Sequence, residues 1–169
     1  MIGPLKRDLS RPELRELVLG LVEKPKLWEH LVRHDPEARV YEELVRNEHV
    51  AVWLICWMED HDTGFHDHDL SSGALAVARG RVREERLGIN GTAVDRIVEP
   101  PQAVDFSAAD IHRVTHAGDG PSVTINAYSP PLWRMGAYEF KPTGEIQRHS
   151  ISYAEELRPI ETGRGALAA

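Results

Sequence analysis

The centre of the chain reads Gly64-Phe65-His66-Asp67-His68-Asp69, and it follows an apolar run from Val50 to Met58. A continuous apolar run of this length is typical of a β-strand that is covered on both faces. In extended backbone, side chains two residues apart point to the same side. The spacing therefore predicts that His66 and His68 present their imidazoles to one cavity, where they can serve as two ligands of a metal ion.

Short strand-like segments follow one another from Arg39 onward, with turn residues between them. Their ranges are Val50–Met58, Ala74–Ala78, Arg81–Leu87, Val94–Val98, Ala103–Phe106, Ser122–Tyr128, Gly136–Phe140 and Glu145–Ser152. Gly80 marks a tight bend, and residues 88–91 (Gly-Ile-Asn-Gly) mark a turn. No helical pattern interrupts the series, which predicts an all-β sandwich or barrel.

The residues before this β region show a helical pattern. Ser10 and Glu13 have the spacing of a capping box, and apolar residues follow at helical intervals, so a helix is predicted from Arg11 to Val22. Pro25 ends it, and a second short helix is predicted from Lys26 to His34. The predicted organisation has three parts: an N-terminal helical flank (1–36), a β-barrel (37–160) and a flexible tail (161–169).

Composition limits the class of partner that the chain can bind. Its 169 residues suffice for one domain with its own core, and its net charge of −7 argues against nucleic acids and anionic membranes. No apolar run approaches the ~20 residues of a membrane span, and the N-terminus lacks the apolar core of a secretory signal. Because Cys56 is the single cysteine, no internal disulfide can form, and we expect a cytoplasmic protein. The sequence leaves the oligomeric state open.

A third candidate ligand, His112, lies well downstream at the start of another strand-like stretch. In a closed barrel two distant strands can converge on one interior point, so His112 can meet His66 and His68. Three imidazoles on one side of an ion leave the opposite positions open for a substrate and dioxygen, as in non-haem iron enzymes.

These residues and several flanking motifs resemble the cysteine dioxygenase family of the cupin superfamily. The histidines match the two cupin motifs, while residues 69–73 lack the glutamate that is usual there. The other matching motifs are Ile55-Cys56-Trp57, Ile111-His112-Arg113-Val114 and Ala127-Tyr128-Ser129-Pro130-Pro131. The resemblance covers about residues 39–140 and implies a cupin barrel, a double-stranded β-helix. It also implies a thiol dioxygenase, which uses Fe(II) and O2 to convert a small thiol, cysteine or a mercapto acid, into a sulfinic acid.

The resemblance implies roles for individual residues. His66, His68 and His112 match the three iron ligands of the family. Tyr128 matches its active-site tyrosine. Gly73 stands where some members have a cysteine that is linked to that tyrosine, so the crosslink cannot form in this chain.

Four further positions depart from the family pattern. Asn126 replaces a histidine that contacts the tyrosine, and it is expected near the substrate; His116 replaces an asparagine. His116 is predicted either to support the metal ligands or to lie exposed after a strand. The family holds its substrate carboxylate with the arginine of a Tyr-x-Arg segment, and Arg39-Val40-Tyr41 presents the same residue types in reversed order. Arg39 is therefore a candidate carboxylate clamp, with Tyr41 on the same face.

The reversal of Arg39 and Tyr41, together with Asn126, keeps two other functions open. One is an iron cupin oxygenase that acts on a different, specialised substrate. The other is a cupin without enzymatic activity that binds a small molecule.

Among the remaining residues, Trp53 and Trp57 are predicted to belong to the core. Cys56 is predicted to be buried as an apolar filler, and Arg113 to point away from the metal and make an ion pair.

Overall fold

The computed structural model describes residues 5–88 and 91–152. Within these residues it contains one α-helix and eleven strands, which are α1 (Arg11–Val22), β1 (Val40–Arg46), β2 (Ala51–Trp57), β3 (His66–Asp67), β4 (Ser72–Arg79), β5 (Arg81–Leu87), β6 (Ala93–Val98), β7 (Ala103–Phe106), β8 (His112–Ala117), β9 (Ser122–Ser129), β10 (Arg134–Phe140) and β11 (Ile146–Ser152). The predicted tail at 161–169 lies outside the described residues, as do two residues of the predicted turn at 88–91.

The strands form two antiparallel sheets. The five-stranded sheet has the order β1-β2-β9-β4-β7, and the six-stranded sheet has the order β11-β10-β3-β8-β5-β6. Buried residues from both sheets pack against each other, among them Ile55 and Leu75 of the first sheet and Val82 and Val114 of the second. The interior of the molecule therefore lies between the two sheets, as in a sandwich or barrel.

Strand β2 is buried on both faces, as its apolar sequence predicted. Val52 and Leu54 point away from the barrel interior and share a buried cluster with Leu14 and Val18 of α1. Ile55 points inward, on the opposite face of the strand. Cys56 is buried, as predicted. The helix thus covers the outer face of the five-stranded sheet, so that the sheet is shielded from water on both sides.

The two predicted N-terminal helices are matched only in part. The first is confirmed from Arg11 to Val22, and the backbone N–H of Ser10 donates to Glu13 Oε2 at 2.8 Å in the predicted capping box. The second, predicted from Lys26 to His34, is wrong: the segment forms two single 3-10 turns, Pro25–Leu27 and Glu29–Leu31.

The indole of Trp28 gives the physical reason for this difference. Trp28 stands between the two turns with φ −136°, outside the helical range. Its ring is buried, and its Nε1 donates to the carbonyl of Leu21 near the end of α1 at 2.9 Å. Anchoring the indole there interrupts the helical path.

No helix in the described part of the chain is both long enough and apolar enough to span a membrane.

Candidate metal centre

Strand pairing brings three histidines to one point of the interior. His66 in β3 lies directly opposite His112 in β8, and His68 follows two residues after His66. The ring centroids are 4.7 Å apart for His66 and His112, 4.8 Å for His66 and His68, and 5.1 Å for His68 and His112. All three side chains are buried, and one nitrogen from each lies within 4.8 Å of the other two.

The hydrogen bonds of these histidines leave nitrogens available for a metal ion. His66 Nδ1 lies 3.0 Å from the carbonyl of Gly64, and His112 Nδ1 lies 3.1 Å from Glu84 Oε1. Both acceptors require an N–H at Nδ1, so the lone pair is at Nε2. His112 Nε2 and both ring nitrogens of His68 are buried without a hydrogen-bond partner among the described residues. Buried polar atoms of this kind need a partner, and a metal ion that binds imidazole provides one for His112 Nε2 and for one of the two nitrogens of His68.

Burial also keeps the imidazoles of His66 and His68 neutral. It lowers the pKa of His66 to about 3, and the proximity of His112 adds to the effect. Burial lowers the pKa of His68 well below its usual value, with further contributions from His66 and His112. A neutral imidazole retains the lone pair that a metal ligand needs.

A buried carboxylate fixes the short strand β3, which carries His66 and is followed directly by His68. Asp67 accepts hydrogen bonds from Arg148 Nε at 2.7 Å, from Arg148 Nη2 at 2.9 Å and from the Tyr138 hydroxyl at 2.6 Å. Burial raises the pKa of Asp67, but these hydrogen bonds outweigh it and hold the pKa at about 2. Only glycine fits at Gly136 opposite, because a Cβ there would lie 2.2 Å from Arg148 Nε.

A second buried carboxylate, Glu84 of β5, accepts the hydrogen bond from His112. Glu84, which lies within the predicted strand Arg81–Leu87, was not identified from the sequence. The signal that could have revealed it is the period of two: Val82 is buried in the interior, so Glu84 points the same way. Burial raises the pKa of Glu84, but hydrogen bonds from His112, Arg86 and Arg96 hold it at about 2.

His66 and His112 border a cavity of about 540 Å³, counting its opening to solvent. Its lining is mostly apolar and aromatic: Tyr41, Trp53, Ile55, Trp57, Leu75, Phe106, Val114, Tyr128, Leu132 and Met135. The polar residues of the lining are Arg39, Thr63, His66, His112 and Asn126. An apolar cavity with a few convergent polar groups is the usual form of a small-molecule site.

Arg39, which directly precedes β1, and Tyr41, which lies in β1, both line this cavity, so they share one face as their spacing predicted. The guanidinium carbon of Arg39 lies 5.5 Å from the ring centroid of Tyr41 and 5.5 Å from that of Trp57. Trp57 is a core residue, as predicted, but it also faces the cavity, as does Trp53. The aromatic rings attract the cation and restrict its motion.

Tyr128 lies beside the histidines, with its ring centroid 5.3 Å from that of His68. Across the sheet it is paired with Gly73. A Cβ at Gly73 would lie 2.2 Å from Phe106 Cε2, so the side chain of Phe106 occupies the space that a larger residue at Gly73 would need. The Phe106 ring in turn stacks on His68, with centroids 4.5 Å apart.

A chain of hydrogen bonds orients the amide of Asn126. Trp57 Nε1 lies 3.0 Å from Thr124 Oγ1, and Thr124 Oγ1 lies 2.7 Å from Asn126 Oδ1. An indole N–H can only donate, so the Thr124 hydroxyl accepts from it and donates its own proton to Asn126. With its oxygen engaged in this way, Asn126 has its NH2 group to offer the cavity as a donor.

His116 lies apart from the candidate metal ligands. Its Nε2 lies 2.8 Å from the carbonyl of Gly120, and its side chain lines a separate surface cleft with Met58 and Glu59. It is four residues beyond His112 on β8, about 13 Å further along a strand.

Arg113 forms an ion pair with Asp62 on the outer side of the strand, which confirms the prediction for that residue.

A comparison with sequence models of known families shows to which protein family the chain belongs. The sequence model of the family described as cysteine dioxygenase type I matches residues 12–141. The chain belongs to the cysteine dioxygenase type I family. Cysteine dioxygenase type 1 of Danio rerio is 23% identical to this family member over 137 residues, which cover 74% of this chain and 68% of the relative.

Solved structures share the fold of this cysteine dioxygenase family member. A Bacillus halodurans protein matches with a TM-score of 0.53 at 18% identity, covering 85% of this chain and 89% of its own. A Klebsiella pneumoniae protein with a double-stranded β-helix domain matches with a TM-score of 0.54 at 11% identity, covering 60% of this chain and 80% of its own. The predicted all-β cupin architecture is thereby confirmed, apart from the second N-terminal helix.

Proposed function

We propose that this cysteine dioxygenase family member is an Fe(II)-dependent thiol dioxygenase that converts a small mercapto acid and O2 into a sulfinic acid. The observation that carries the proposal is the group of three buried histidines, two of which line a cavity that also contains Arg39 and Tyr128. The overall reaction is balanced as RSH + O2 → RSO2H. Sulfur is oxidised, both oxygen atoms of O2 are incorporated, and no external reductant is needed.

His66, His68 and His112 are the proposed iron ligands. All three ligands are neutral, so the ion keeps its full charge, which favours an anionic thiolate as a further ligand. When bound, Fe(II) supplies the coordination positions for thiolate and O2 and the redox chemistry that joins them. The protein supplies the dry surroundings: Phe106 packs on one face of His68, and the cavity walls exclude water from the ligands.

Arg39 is the proposed clamp for the substrate carboxylate. A guanidinium can donate two parallel hydrogen bonds to a carboxylate. Tyr41 and Trp57 lie on the guanidinium at 5.5 Å each, and they shield it from water, so its attraction for an anion is stronger than on an open surface. The same cavity thus contains a cation and two of the histidines, which suits a substrate that carries a thiol and a carboxylate on one short chain.

Tyr128 and Asn126 are proposed to contact the reacting end of the substrate. The Tyr128 hydroxyl can donate or accept a hydrogen bond, which allows it to hold a proton close to the sulfur and its oxygens. The NH2 group of Asn126 can donate to an anionic oxygen. Both residues lie on β9 with the same orientation, two residues apart, and both line the cavity.

Oxygen consumption by iron-loaded protein tests this function. Protein purified from its host is analysed for metal, and the same sample is then given cysteine, 3-mercaptopropionate, cysteamine and mercaptosuccinate in an oxygen electrode. We expect one iron per chain, uptake with the thiols that carry a carboxylate, and a sulfinate product that has gained two oxygen atoms by mass spectrometry. Fully iron-loaded protein that consumes no oxygen with any of these thiols is not a thiol dioxygenase.

An iron oxygenase with a more specialised substrate is the second candidate. Two departures from the family pattern favour it: the reversed order of Arg39 and Tyr41, and the asparagine at position 126 in place of a histidine. Such an enzyme would bind iron and yield a product other than a sulfinate. Retention of ligand binding by a His112→Ala variant that has lost its metal would instead favour a cupin that only binds a small molecule.

A further inference from the structure

We infer that Glu84 is a positioning residue for the metal centre, which acts through His112 to set both its orientation and its strength as a ligand. This inference rests on the proposed function, because it assumes that His112 binds the metal. Glu84 is one of the most deeply buried side chains of the described residues, with 1% of its surface exposed. A carboxylate in such a place needs strong partners.

The contact between Glu84 and His112 has the geometry of a hydrogen bond that fixes a ring. Glu84 Oε1 lies 3.1 Å from His112 Nδ1, and both side chains are almost fully buried. The two residues belong to neighbouring strands, since β5 pairs with β8 and Glu84 is opposite Val114. A carboxylate only accepts, so the proton of His112 is at Nδ1 and its lone pair is at Nε2, towards the other two histidines.

Two arginines keep the Glu84 carboxylate in place from the other side. Arg86 Nη2 lies 2.9 Å from Glu84 Oε1, and Arg96 Nε lies 2.6 Å from Oε2. Arg96 is directly opposite Glu84 on β6, and Arg86 is also bonded to the carbonyl of Asp105 at 3.0 Å. Both oxygens therefore have a cationic partner, and the carboxylate cannot turn away from His112 without breaking a charge-assisted bond.

The three candidate ligands differ in the hydrogen-bond partners of their imidazole rings. His112 has a carboxylate, His66 has the neutral carbonyl of Gly64, and His68 has no hydrogen-bond partner among the described residues. A negative acceptor at Nδ1 makes the opposite nitrogen a better electron donor than a neutral acceptor does. His112 is thus the most strongly donating ligand of the three, and Glu84 is the cause.

A metal-affinity measurement with matched variants tests this role. Metal-stripped protein is titrated with Co(II) in competition with a chelator, and the visible absorption of bound Co(II) is recorded. We expect Glu84→Gln to bind Co(II) about 10- to 100-fold more weakly than the unaltered protein and with a shifted spectrum, since loss of such a partner typically has this effect. Glu85→Gln is the matched control: it is the neighbouring residue, and its nearest cation is Arg113, 3.8 Å away. Its affinity should stay within about twofold of that of the unaltered protein.

Each outcome decides a different point. Unaltered protein that binds neither Co(II) nor Fe(II) contradicts the metal centre itself. If the unaltered protein and Glu84→Gln bind Co(II) equally tightly, the proposed role of Glu84 is contradicted, but the metal centre is not. If Glu84→Gln does not fold, Arg96→Gln takes its place, because it loosens the carboxylate and leaves Glu84 and His112 intact. A several-fold weaker affinity of folded Arg96→Gln supports the inference, and an unchanged affinity overturns it.

Discussion

The hydroxyl of Thr124 shows how a single residue can set the polarity of the cavity. It has no contact with the proposed metal ligands, yet it links the donor of Trp57 to the oxygen of Asn126. Arg39 is a donor as well. The substrate-facing groups of Arg39 and Asn126 are therefore both donors, an arrangement suited to carboxylate oxygens and poorly suited to an ammonium group.

We expect Thr124→Val to reduce the preference for a thiol without an amino group. Valine has almost the same shape as threonine but cannot bridge Trp57 and Asn126, so the amide is free to turn its oxygen towards the cavity. Steady-state oxygen uptake should show the ratio of kcat/KM for 3-mercaptopropionate to that for cysteine falling by about three- to tenfold. Two buried polar groups lose their partner, so the free energy of unfolding should also fall, by about 1–3 kcal/mol.

Thr115→Val is the matched control for this change. Thr115 lies on β8 next to buried Val114, with its side chain on the opposite face of the strand, and it is not part of the cavity lining. Its substitution should leave the ratio of the two kcat/KM values unchanged. If Thr124→Val also leaves that ratio unchanged, the orientation of Asn126 has no part in substrate choice.

Among the strands, β3 is too short to hold its own position. It consists of His66 and Asp67, and its ladder contacts are limited to one pair with β8 and two pairs with β10. The ion pair between Asp67 and Arg148 of β11 adds the stability that so few strand pairings cannot provide. Histidine placement therefore depends on an interaction with the edge strand of the six-stranded sheet.

We expect Arg148→Met to destabilise the protein far more than Arg134→Met. Arg148 is bonded twice to buried Asp67, and removing it leaves a buried carboxylate without its cation, which typically costs about 3–5 kcal/mol. Arg134 contacts the neighbouring Asp69 at 3.2 Å, but its side chain is 56% exposed, so its loss should cost less than about 1 kcal/mol. Urea unfolding of the metal-free proteins measures both values. Equal losses for the two variants would show that Asp67 does not anchor β3.

Over the whole molecule, local patterns were enough to predict the all-β fold and the first helix. The apolar run of β2, the capping box at Ser10 and the turn residues each act over a few positions, so they can be read from one sequence. The candidate ligands His66, His68 and His112 also came from spacing and from matching motifs. His66 and His68 follow from short-range spacing, whereas His112 was assigned through its match to the motifs of the family.

The contacts that support the site depend on which strands become neighbours. Glu84 reaches His112 because β5 pairs with β8, and Asp67 reaches Arg148 because β10 lies between β3 and β11. Trp28 ends a helical pattern by inserting its indole against the end of α1. Strand order and side-chain insertion are properties of the complete fold, so the sequence pattern gave no account of them.

A bound metal should stabilise the entire fold. The three candidate ligands exist as a group only when β3 and β8 are paired, so the unfolded chain has no comparable site. Binding to the native state alone adds about 2.7 kcal/mol when free metal is at 100 times its Kd. For a chain of this size, that gain raises Tm by about 5–10 °C. Thermal unfolding with Fe(II) under anaerobic conditions, and again with excess chelator, measures the shift.

Two histidine variants show whether this stabilisation arises at the proposed centre. His112→Ala removes one ligand, so its Tm should be almost the same with and without metal. His149→Ala removes a half-exposed histidine of β11, whose Nε2 lies 3.5 Å from Glu139, and it should keep the full shift. A His112→Ala protein that retains the full shift, with an unchanged metal content, would mean that the metal binds elsewhere. Loss of the shift in His112→Ala alone would tie the stability of the fold to the same ligands that the reaction requires.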